Sequence, residues 1–357
     1  LKTIAQMDTA DRRKPQKGTV KASVDNHRHE LEVSTAGSAS GESLRVTVDP
    51  RLRHTTKLAD LGFSADQLNL LRDSIADGTG IVLLTSPKGQ GLTALEYALL
   101  SAHDAFISHI QTVERAPERD LDGITQNKLP VAATAAQELD MTNWVISQDT
   151  DVLLVAGLED PKSAHQLSKF AKSGKRIYIG MRAPNTLDAL LAWRKLVGDD
   201  TLAMQSLKMI IASRVVRRLC SACKIGYQPD PEQLRRLNMD PARVGQLYQA
   251  RTEPMRDAKG RPVPCEFCHD LRFKGRLGFY EIFLINDDVR QVVMSGGSLK
   301  QLQAAFRKQR GKFLQEEALL HVESGATSVQ EVLRVMRASE GQPPAPAAAA
   351  ATAQRSG

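Results

Sequence analysis

Apolar residues along this chain follow two patterns, one typical of strands and one typical of helices. Four short runs are rich in apolar residues, as are strands buried on both faces of a parallel sheet. These runs are 81–84, 107–113, 152–155 and 177–180. Stretches between them, such as 92–103 and 163–172, show apolar positions at helical spacing. Strands that alternate with helices predict an α/β fold, in which helices cover both faces of a parallel sheet.

The chain on either side of this predicted core follows other patterns. Alternating apolar and polar residues predict half-exposed strands near its start. These strands are at 19–24, 30–34 and 44–48. A short helix at 8–13 would make this first part a small α+β domain. Toward the other end, Ser298 and Ser328 each precede a Gln or Glu by three residues, a capping box that predicts helices there.

The amino-acid composition limits the classes of protein to which this chain can belong. The chain has 357 residues, 41% hydrophobic and 25% charged, which is ordinary for a folded protein. No run approaches the roughly 18 apolar residues of a membrane span. The net charge of +7 permits contact with nucleic acid or anionic lipid, but 4% aromatic residues do not support a base-stacking surface. The chain opens on Leu1 rather than Met, so we expect its true N-terminus to be missing.

Residues 86–93 follow a predicted strand and precede a predicted helix, which is the arrangement of a phosphate-binding loop. The loop pattern G-x-x-x-x-G-K-[ST] requires two glycines, a lysine and a hydroxyl residue. Gly91 and Thr93 match it, whereas Ser86 replaces the first glycine and Leu92 replaces the lysine. The candidate nucleotide-binding residues are Ser86, Pro87, Lys88, Gly89, Gln90, Gly91, Leu92 and Thr93.

The cysteines predict a metal site. All four cysteines of the chain occur in two CxxC pairs, Cys220 with Cys223 and Cys265 with Cys268. In a chain with no visible export signal, this spacing indicates metal binding before disulfides. Two pairs of thiolates can occupy the four corners of a tetrahedron around Zn²⁺, and such a closed site has a structural role. His269 offers an alternative ligand that would replace one thiolate.

Residues 8–18, 214–224 and 273–282, taken with the loop and the cysteine pairs, resemble the secretion ATPase family. This family comprises the hexameric motors of bacterial type II secretion and type IV pilus assembly. The resemblance covers nearly all of residues 1–337. It implies a RecA-like P-loop NTPase core with a parallel sheet, preceded by a small α+β domain and followed by zinc-binding and helical subdomains.

The resemblance and the composition together predict a division of the chain. The predicted parts are a partial second N-terminal α+β domain at 1–50, a linker at 51–61, a RecA-like domain at 62–215, a zinc-binding subdomain at 216–278, a helical subdomain at 279–338 and a disordered Pro- and Ala-rich tail at 339–357.

The family's acidic motif falls on residues 112–118 of this chain. By resemblance, Glu114 and Glu118 are residual catalytic candidates that can position an attacking water. Two surface glutamates in a loop are an equally good interpretation. The family has Asp–Pro between the two glutamates, where this chain has Arg115 and Ala116.

Three further family positions are altered. The motif Gly-Glu-Ile-Arg-Asp falls on 156–160, where Gly157 replaces the carboxylate on the magnesium side. The histidine motif falls on 173–182, where Lys175 and Arg182 occupy the two histidine positions. Catalytic residues act as a unit, so several losses together remove nearly all of the rate enhancement. We therefore do not expect hydrolysis, although the family implies ATP and Mg²⁺.

Three functions follow from these observations. The favoured one is a non-hydrolysing secretion-ATPase relative with a scaffold or regulatory role in a type II secretion or type IV pilus-like machine. The resemblance implies a homo- or hetero-hexamer, in contact with inner-membrane platform or assembly proteins. It also implies a cytoplasmic location, peripheral to the inner membrane. The alternatives are an active hexameric ATPase motor and a zinc-containing nucleic-acid-binding protein, although no specific nucleic acid is expected.

Overall fold

The computed structural model describes residues 1–24, 27–38, 41–48 and 57–340. The described residues form two compact units, one of 1–48 with Glu118–Asp120 and one of 57–117 with 121–340. Most of the predicted linker and the predicted tail from residue 341 onward lie outside the described residues. Within the described residues, no helix is both long enough and apolar enough to cross a membrane.

The first unit contains an antiparallel sheet at the place where alternation predicted strands. Its described strands, in sheet order, are β1 (Gln16–Val24), β2 (His27–Ser38) and β3 (Gly41–Val48). Val20 and Val33 point from this sheet into a small core shared with Ala5 and Met7. The three strands predicted from the sequence are therefore confirmed.

The short helix predicted at 8–13 is wrong, because side chains there satisfy the backbone in its place. The carboxylate of Asp8 accepts the N–H of Ala10, at 2.8 Å. The carboxylate of Asp11 accepts the N–H groups of Arg13 and Lys14, at 2.9 and 3.1 Å. Such local bonds from aspartate compete with helical hydrogen bonds. The described residues of the first unit thus contain strands and turns but no helix.

The second unit is built on a mixed, mostly parallel sheet. Its described strands are β4 (Gly80–Thr85), β5 (Ile110–Glu114), β6 (Thr125–Lys128), β7 (Val152–Ala156), β8 (Arg176–Met181), β9 (Leu207–Leu219), β10 (Ile225–Tyr227), β11 (Leu247–Gln249), β12 (Met255–Arg256), β13 (Pro262–Val263) and β14 (Phe273–Leu284). The main sheet has the order β14-β9-β4-β8-β7-β5-β6, in which the pair β14–β9 is antiparallel and the other described pairs are parallel.

Helices cover both faces of this sheet, as the sequence predicts. The described helices are α1 (Ala65–Asp77), α2 (Leu92–Leu100), α3 (Ala135–Ile146), α4 (Pro161–Ala171), α5 (Thr186–Val197), α6 (Asp200–Ser206), α7 (Pro231–Arg236), α8 (Asp287–Met294), α9 (Leu299–Lys308), α10 (Leu314–Glu323) and α11 (Val329–Glu340). In β4, Ile81 and Leu83 belong to one apolar core, and Val82 and Leu84 belong to another. Because successive strand residues point to opposite faces, the two cores lie on opposite sides of the sheet.

The long pair of strands β9 and β14 carries the cysteine region. Leu219, the last residue of β9, pairs with Phe273, the first residue of β14. Cys220 follows directly, and its backbone N–H donates to the carbonyl of Arg272 at 3.0 Å. Residues from α10 and α11 pack with this part of the two strands in a third apolar core. The cysteines are thus anchored to the main sheet through two paired strands.

Hydrogen bonds to Glu331 hold α11 against β9. Its buried carboxylate accepts bonds from the backbone N–H and the guanidinium of Arg217, and from Arg334, with the closest contacts at 2.6 Å. Burial raises the pKa of Glu331, but the bonds from Arg334 and Arg217 outweigh burial and lower this pKa to about 2. A carboxyl group whose pKa is lower in the folded state stabilises the fold at pH values above its unfolded-state pKa. That stability is lost as the pH falls toward the folded-state pKa and the carboxyl group becomes protonated.

We expect Glu331→Gln to lower the free energy of unfolding at pH 7 by about 2 kcal/mol, discounted because both arginines are half-exposed. The difference from the unaltered chain should shrink as the pH falls from about 5 to about 2. Urea unfolding of both chains at pH 7 and pH 3 measures this difference in the free energy of unfolding. Glu323→Gln, at an exposed glutamate, is the control. A difference that does not depend on pH would contradict this role for Glu331.

Candidate functional site

The candidate loop joins β4 to α2 at the carboxyl edge of the sheet. Thr85 ends the strand and Leu92 begins the helix, so residues 86–91 form the turn. Gly89 and Gly91 have φ values of 75° and 86°, a region that glycine adopts without strain. A Cβ atom on Gly91 would lie 2.8 Å from Cγ2 of Val215. The backbone therefore has the strand–turn–helix form that the sequence predicts.

The side chains of this turn do not resemble those of a working phosphate-binding loop. Leu92 is 6% exposed and belongs to the apolar core that contains α1 and α2. Lys88 is exposed, and Thr93 is half-buried at the first turn of α2. Gln90 accepts the backbone N–H of Val215 at 3.1 Å, which ties the turn to β9. The position that holds a cation in a working loop is here part of the hydrophobic core.

Arg182 covers the turn from the neighbouring strand. It follows β8 and donates from Nη1 to the carbonyl oxygens of Ser86 and Pro87, each at 3.3 Å. The guanidinium thus stabilises carbonyl groups of the turn. This contact places one of the two altered histidine-motif positions directly at the loop.

Lys175, the other altered histidine-motif position, lies at the opposite end of β8. It precedes the strand, whereas Arg182 follows it. Its ammonium donates to Asp151 at 2.9 Å and to Asp149 at 3.0 Å, and these bonds raise the pKa of Lys175. The structure therefore does not bring Lys175 to the candidate site.

A cavity of about 160 Å³ lies beside the turn, where four parallel strands end. It is lined by Leu92, Thr93, Glu96, Glu114, Arg115, Ala116, Ala156, Gly157, Gly180, Met181 and Arg182. Leu92, Thr93, Glu114, Gly157 and Arg182 come from four motifs singled out in the sequence, and they meet here because the carboxyl ends of parallel strands share one edge.

Glu114, at the end of β5, is buried and accepts hydrogen bonds from three neutral donors. Tyr97 donates to its Oε2 at 2.7 Å, and Thr112 and Gln126 donate to its Oε1 at 2.6 and 3.2 Å. Glu118 is exposed and belongs to the first compact unit. Of the two predicted catalytic carboxylates, the structure places Glu114 in the wall of the cavity.

The segment after β7 is held in place by Arg115 and Glu138. Arg115 donates to the carbonyl of Gly157 at 3.0 Å and to the Glu138 carboxylate at 2.6 Å. Glu138 is 1% exposed and also accepts the backbone N–H groups of Glu159 and Asp160, at 3.0 and 2.9 Å. Arg115 and Glu138 therefore hold the segment from Gly157 to Asp160 in place.

Glu96 and Glu138 are site residues that the sequence analysis missed. Glu96 had a detectable signal, because it is the one charged residue of α2, a helix that is otherwise apolar and buried on nearly all sides. A buried ionisable residue in such a helix indicates a special role. Glu138 had no comparable signal, because a glutamate in the first turn of a helix is ordinary.

The four cysteines form one cluster. All are buried, and their Sγ atoms lie within 4.8 Å of one another. The distance from Cys220 to Cys265 is 3.9 Å and that from Cys223 to Cys268 is 3.6 Å. Zinc–sulfur bonds of about 2.3 Å in a tetrahedron give sulfur–sulfur edges of about 3.8 Å. The donor set therefore fits one tetrahedral metal ion.

The protonation of the cluster also suits a cation. Backbone N–H groups of Cys268 and Phe267 outweigh burial and lower the pKa of Cys265 to about 7, which favours its thiolate. Burial raises the pKa of Cys223, and a bound cation would reverse that effect. His269 is exposed and does not belong to the cluster among the described residues, so the geometry favours four thiolates over the alternative ligand.

Comparison with known proteins agrees with this architecture. The profile of the family described as "Type II/IV secretion system protein" matches residues 1–334. The chain is 29% identical over 339 residues to type II secretion system protein E of Pseudomonas aeruginosa, covering 94% of this chain and 64% of that protein. It is 26% identical over 337 residues to the type IV pilus assembly ATPase PilB of Thermus thermophilus, covering 93% of this chain and 36% of that protein. The chain therefore spans less than two thirds of the length of these relatives.

Solved structures show a similar fold. The Legionella pneumophila ATPase DotB superposes with a TM-score of 0.56 at 13% identity, covering 91% of this chain and 78% of that one. The pilus retraction motor PilT with bound ADP gives a TM-score of 0.53 at 13% identity, covering 92% and 81% of the two chains. At this identity the likeness concerns the fold alone.

Proposed function

Because this chain belongs to the type II/IV secretion system protein family, we propose that it is a non-hydrolysing cytoplasmic subunit of a type II secretion or type IV pilus-like machine. One observation carries the proposal: the cavity at the carboxyl edge presents Leu92 and Gly157 where the family motifs have a lysine and a glutamate. A lysine there forms charge-assisted bonds to phosphate oxygens, each worth roughly 1.5–3 kcal/mol, and leucine forms none.

The residues around the cavity do not fit ATP with Mg²⁺. Arg182 is bound to carbonyl groups of the turn, and Arg115 is bound to Glu138 and Gly157. Glu114 already accepts hydrogen bonds from three neutral donors, Tyr97, Thr112 and Gln126. We therefore derive no hydrolytic step. In this proposal the chain contributes its fold and its surfaces, as a scaffold or regulatory subunit.

We also propose that the four cysteines hold one structural Zn²⁺. Their sulfur–sulfur distances support the proposal, because they match a tetrahedral four-thiolate site. A site closed by four thiolates has no position for water, so its contribution is to hold the two CxxC turns and residues 224–264 in place. The predicted subdomain boundaries remain predictions.

By membership in the family, we propose a homo- or hetero-hexamer that works with inner-membrane platform or assembly proteins. Relatives named as secretion and pilus-assembly proteins support this assignment. A loop that keeps the strand–turn–helix backbone form but has Leu92 in place of the lysine is consistent with a subunit whose role is to occupy a place in an assembly.

An ATPase assay with Mg²⁺ tests the central proposal. We expect no phosphate release above background from the purified chain, because the groups that grip and polarise a triphosphate are absent from the cavity. Thr93→Ala is the control, since Thr93 is the loop residue best suited to hold magnesium. Turnover that matches an ordinary motor of the family and is abolished by Thr93→Ala would contradict the proposal.

A further inference from the structure

Glu96 is a buried carboxyl group inside the candidate cavity. It lies on α2, three residues after Thr93, and is 3% exposed. It lines the same cavity as Leu92 and Gly157, the two positions that have lost family chemistry. Because α2 follows the turn directly, this carboxyl group shares one cavity with Leu92 and Thr93, the first residues of the helix, where a working loop meets its phosphate.

The carboxyl group of Glu96 lies directly against Gly180, a residue without a side chain. A Cβ atom built on Gly180 would lie 1.9 Å from Oε1 of Glu96, far closer than any two such atoms approach. Gly180 belongs to β8, the strand that adjoins β4 in the sheet. A larger residue at 180 would therefore require the carboxyl group of Glu96, the far end of a flexible side chain, to move.

Glu96 is also placed to neutralise a lysine at position 92. Residues 92 and 96 are four apart on one helix, a spacing that brings side chains onto the same face. Both line the same cavity. A lysine introduced in place of Leu92 would lie next to Glu96 and would pair with it, so that its charge would no longer be available to a phosphate group.

We infer that Glu96 is a specificity-determining residue that excludes phosphate groups from this cavity, in addition to the absence of a lysine at 92. This inference rests on the proposed function and goes further, because a non-hydrolysing protein can still bind nucleotide. A phosphate beside Glu96 would bring two anions together away from water, or would require the carboxyl group to take up a proton. Either route weakens phosphate binding, so the subunit works without nucleotide.

Titration calorimetry with ATP and Mg²⁺ on the full chain tests this inference with Leu92→Lys, Glu96→Gln and the double variant. We expect no measurable binding by the unaltered chain and at most weak binding by Leu92→Lys. The double variant should bind ATP at least about tenfold more tightly than Leu92→Lys, because lysine is then free to contact phosphate. Equal affinity of these two variants, or no binding by either, would overturn the inference.

A matched control separates this carboxyl group from negative charge in general. Leu92→Lys with Glu159→Gln removes a carboxylate from the same edge of the sheet, but one whose side chain is 81% exposed. It should behave as Leu92→Lys does. Glu96→Gln alone, titrated with pyrophosphate, adds no charge to the core and covers the case in which a lysine at 92 prevents folding. Its affinity should exceed that of the unaltered chain by about tenfold, and an unchanged affinity would count against the inference.

A second measurement tests the contact between Glu96 and Gly180 without any ligand. Gly180→Ala should lower the melting temperature in the unaltered chain and should be tolerated in a chain that also carries Glu96→Ala. Equal destabilisation in both backgrounds would show that Glu96 does not pack against Gly180. Failure of the proposed function has a different signature, namely ATP turnover by the unaltered chain, so the two failures can be told apart.

Discussion

Replacement of Cys265 by serine should empty the metal site and destabilise the region around it. The unaltered chain should contain one zinc ion per molecule, and Cys265→Ser should contain almost none. Structural zinc sites contribute about 10–16 kcal/mol of apparent binding free energy, much of it expressed as folding. We expect the melting temperature to fall by about 10 °C or more, in the range of large metal-loss effects.

The structure also predicts where this destabilisation appears first. The segment between the CxxC turns holds short strand pairs, β10 with β11 and β12 with β13. Leu247 of β11 packs, together with Leu234 of α7, against β9 and β14 in the third apolar core. No described residue of β12 or β13 belongs to that core. Hydrogen exchange should therefore increase first at β12–β13 after zinc is lost.

The matched control is the neighbouring histidine. His269→Asn changes an exposed residue with a φ of 49°, a conformation that asparagine tolerates. It should keep the zinc and the melting temperature, because His269 does not belong to the described cysteine cluster. Metal analysis and thermal unfolding measure both variants. A zinc content that falls in His269→Asn but not in Cys265→Ser would contradict the four-thiolate assignment.

The pattern of apolar runs was sufficient to predict the strands whose ends form the edge of the cavity. Because β4, β5, β7 and β8 are buried on both faces, each leaves an apolar run that is visible without a structure. Gly91, Leu92 and Gly157 then follow from their positions after those strands. In contrast, β9 was missed, since lysine, serine and arginine interrupt its apolar run, and Arg214 within it is buried.

The contacts across the site were beyond sequence reasoning for a different reason. Arg182 meets the turn because β8 lies next to β4, and Arg115 meets Gly157 because β5 lies next to β7. Periodicity reveals strands but does not give their order in a sheet. Residues far apart in the chain therefore could not be paired, and Arg182 was interpreted only as a lost histidine.

Replacement of Glu138 by leucine should release the segment after β7. Leucine would leave the backbone N–H groups of Glu159 and Asp160 without their acceptor and would remove the carboxylate that Arg115 contacts at 2.6 Å. Removal of one member of a buried charge pair costs about 3–5 kcal/mol. We expect the free energy of unfolding to fall by that amount, together with faster hydrogen exchange at the amides of Glu159 and Asp160.

Glu159→Leu is the matched control, because Glu159 lies on the same segment and its side chain is 81% exposed, 4.0 Å from Arg115. An exposed substitution of this kind changes stability by no more than about 0.5 kcal/mol. Urea unfolding and hydrogen exchange compare the two variants. Equal effects would show that Glu138 is an ordinary buried residue. A large effect confined to Glu138→Leu would show that Arg115 and Glu138 together hold the segment after β7 in place.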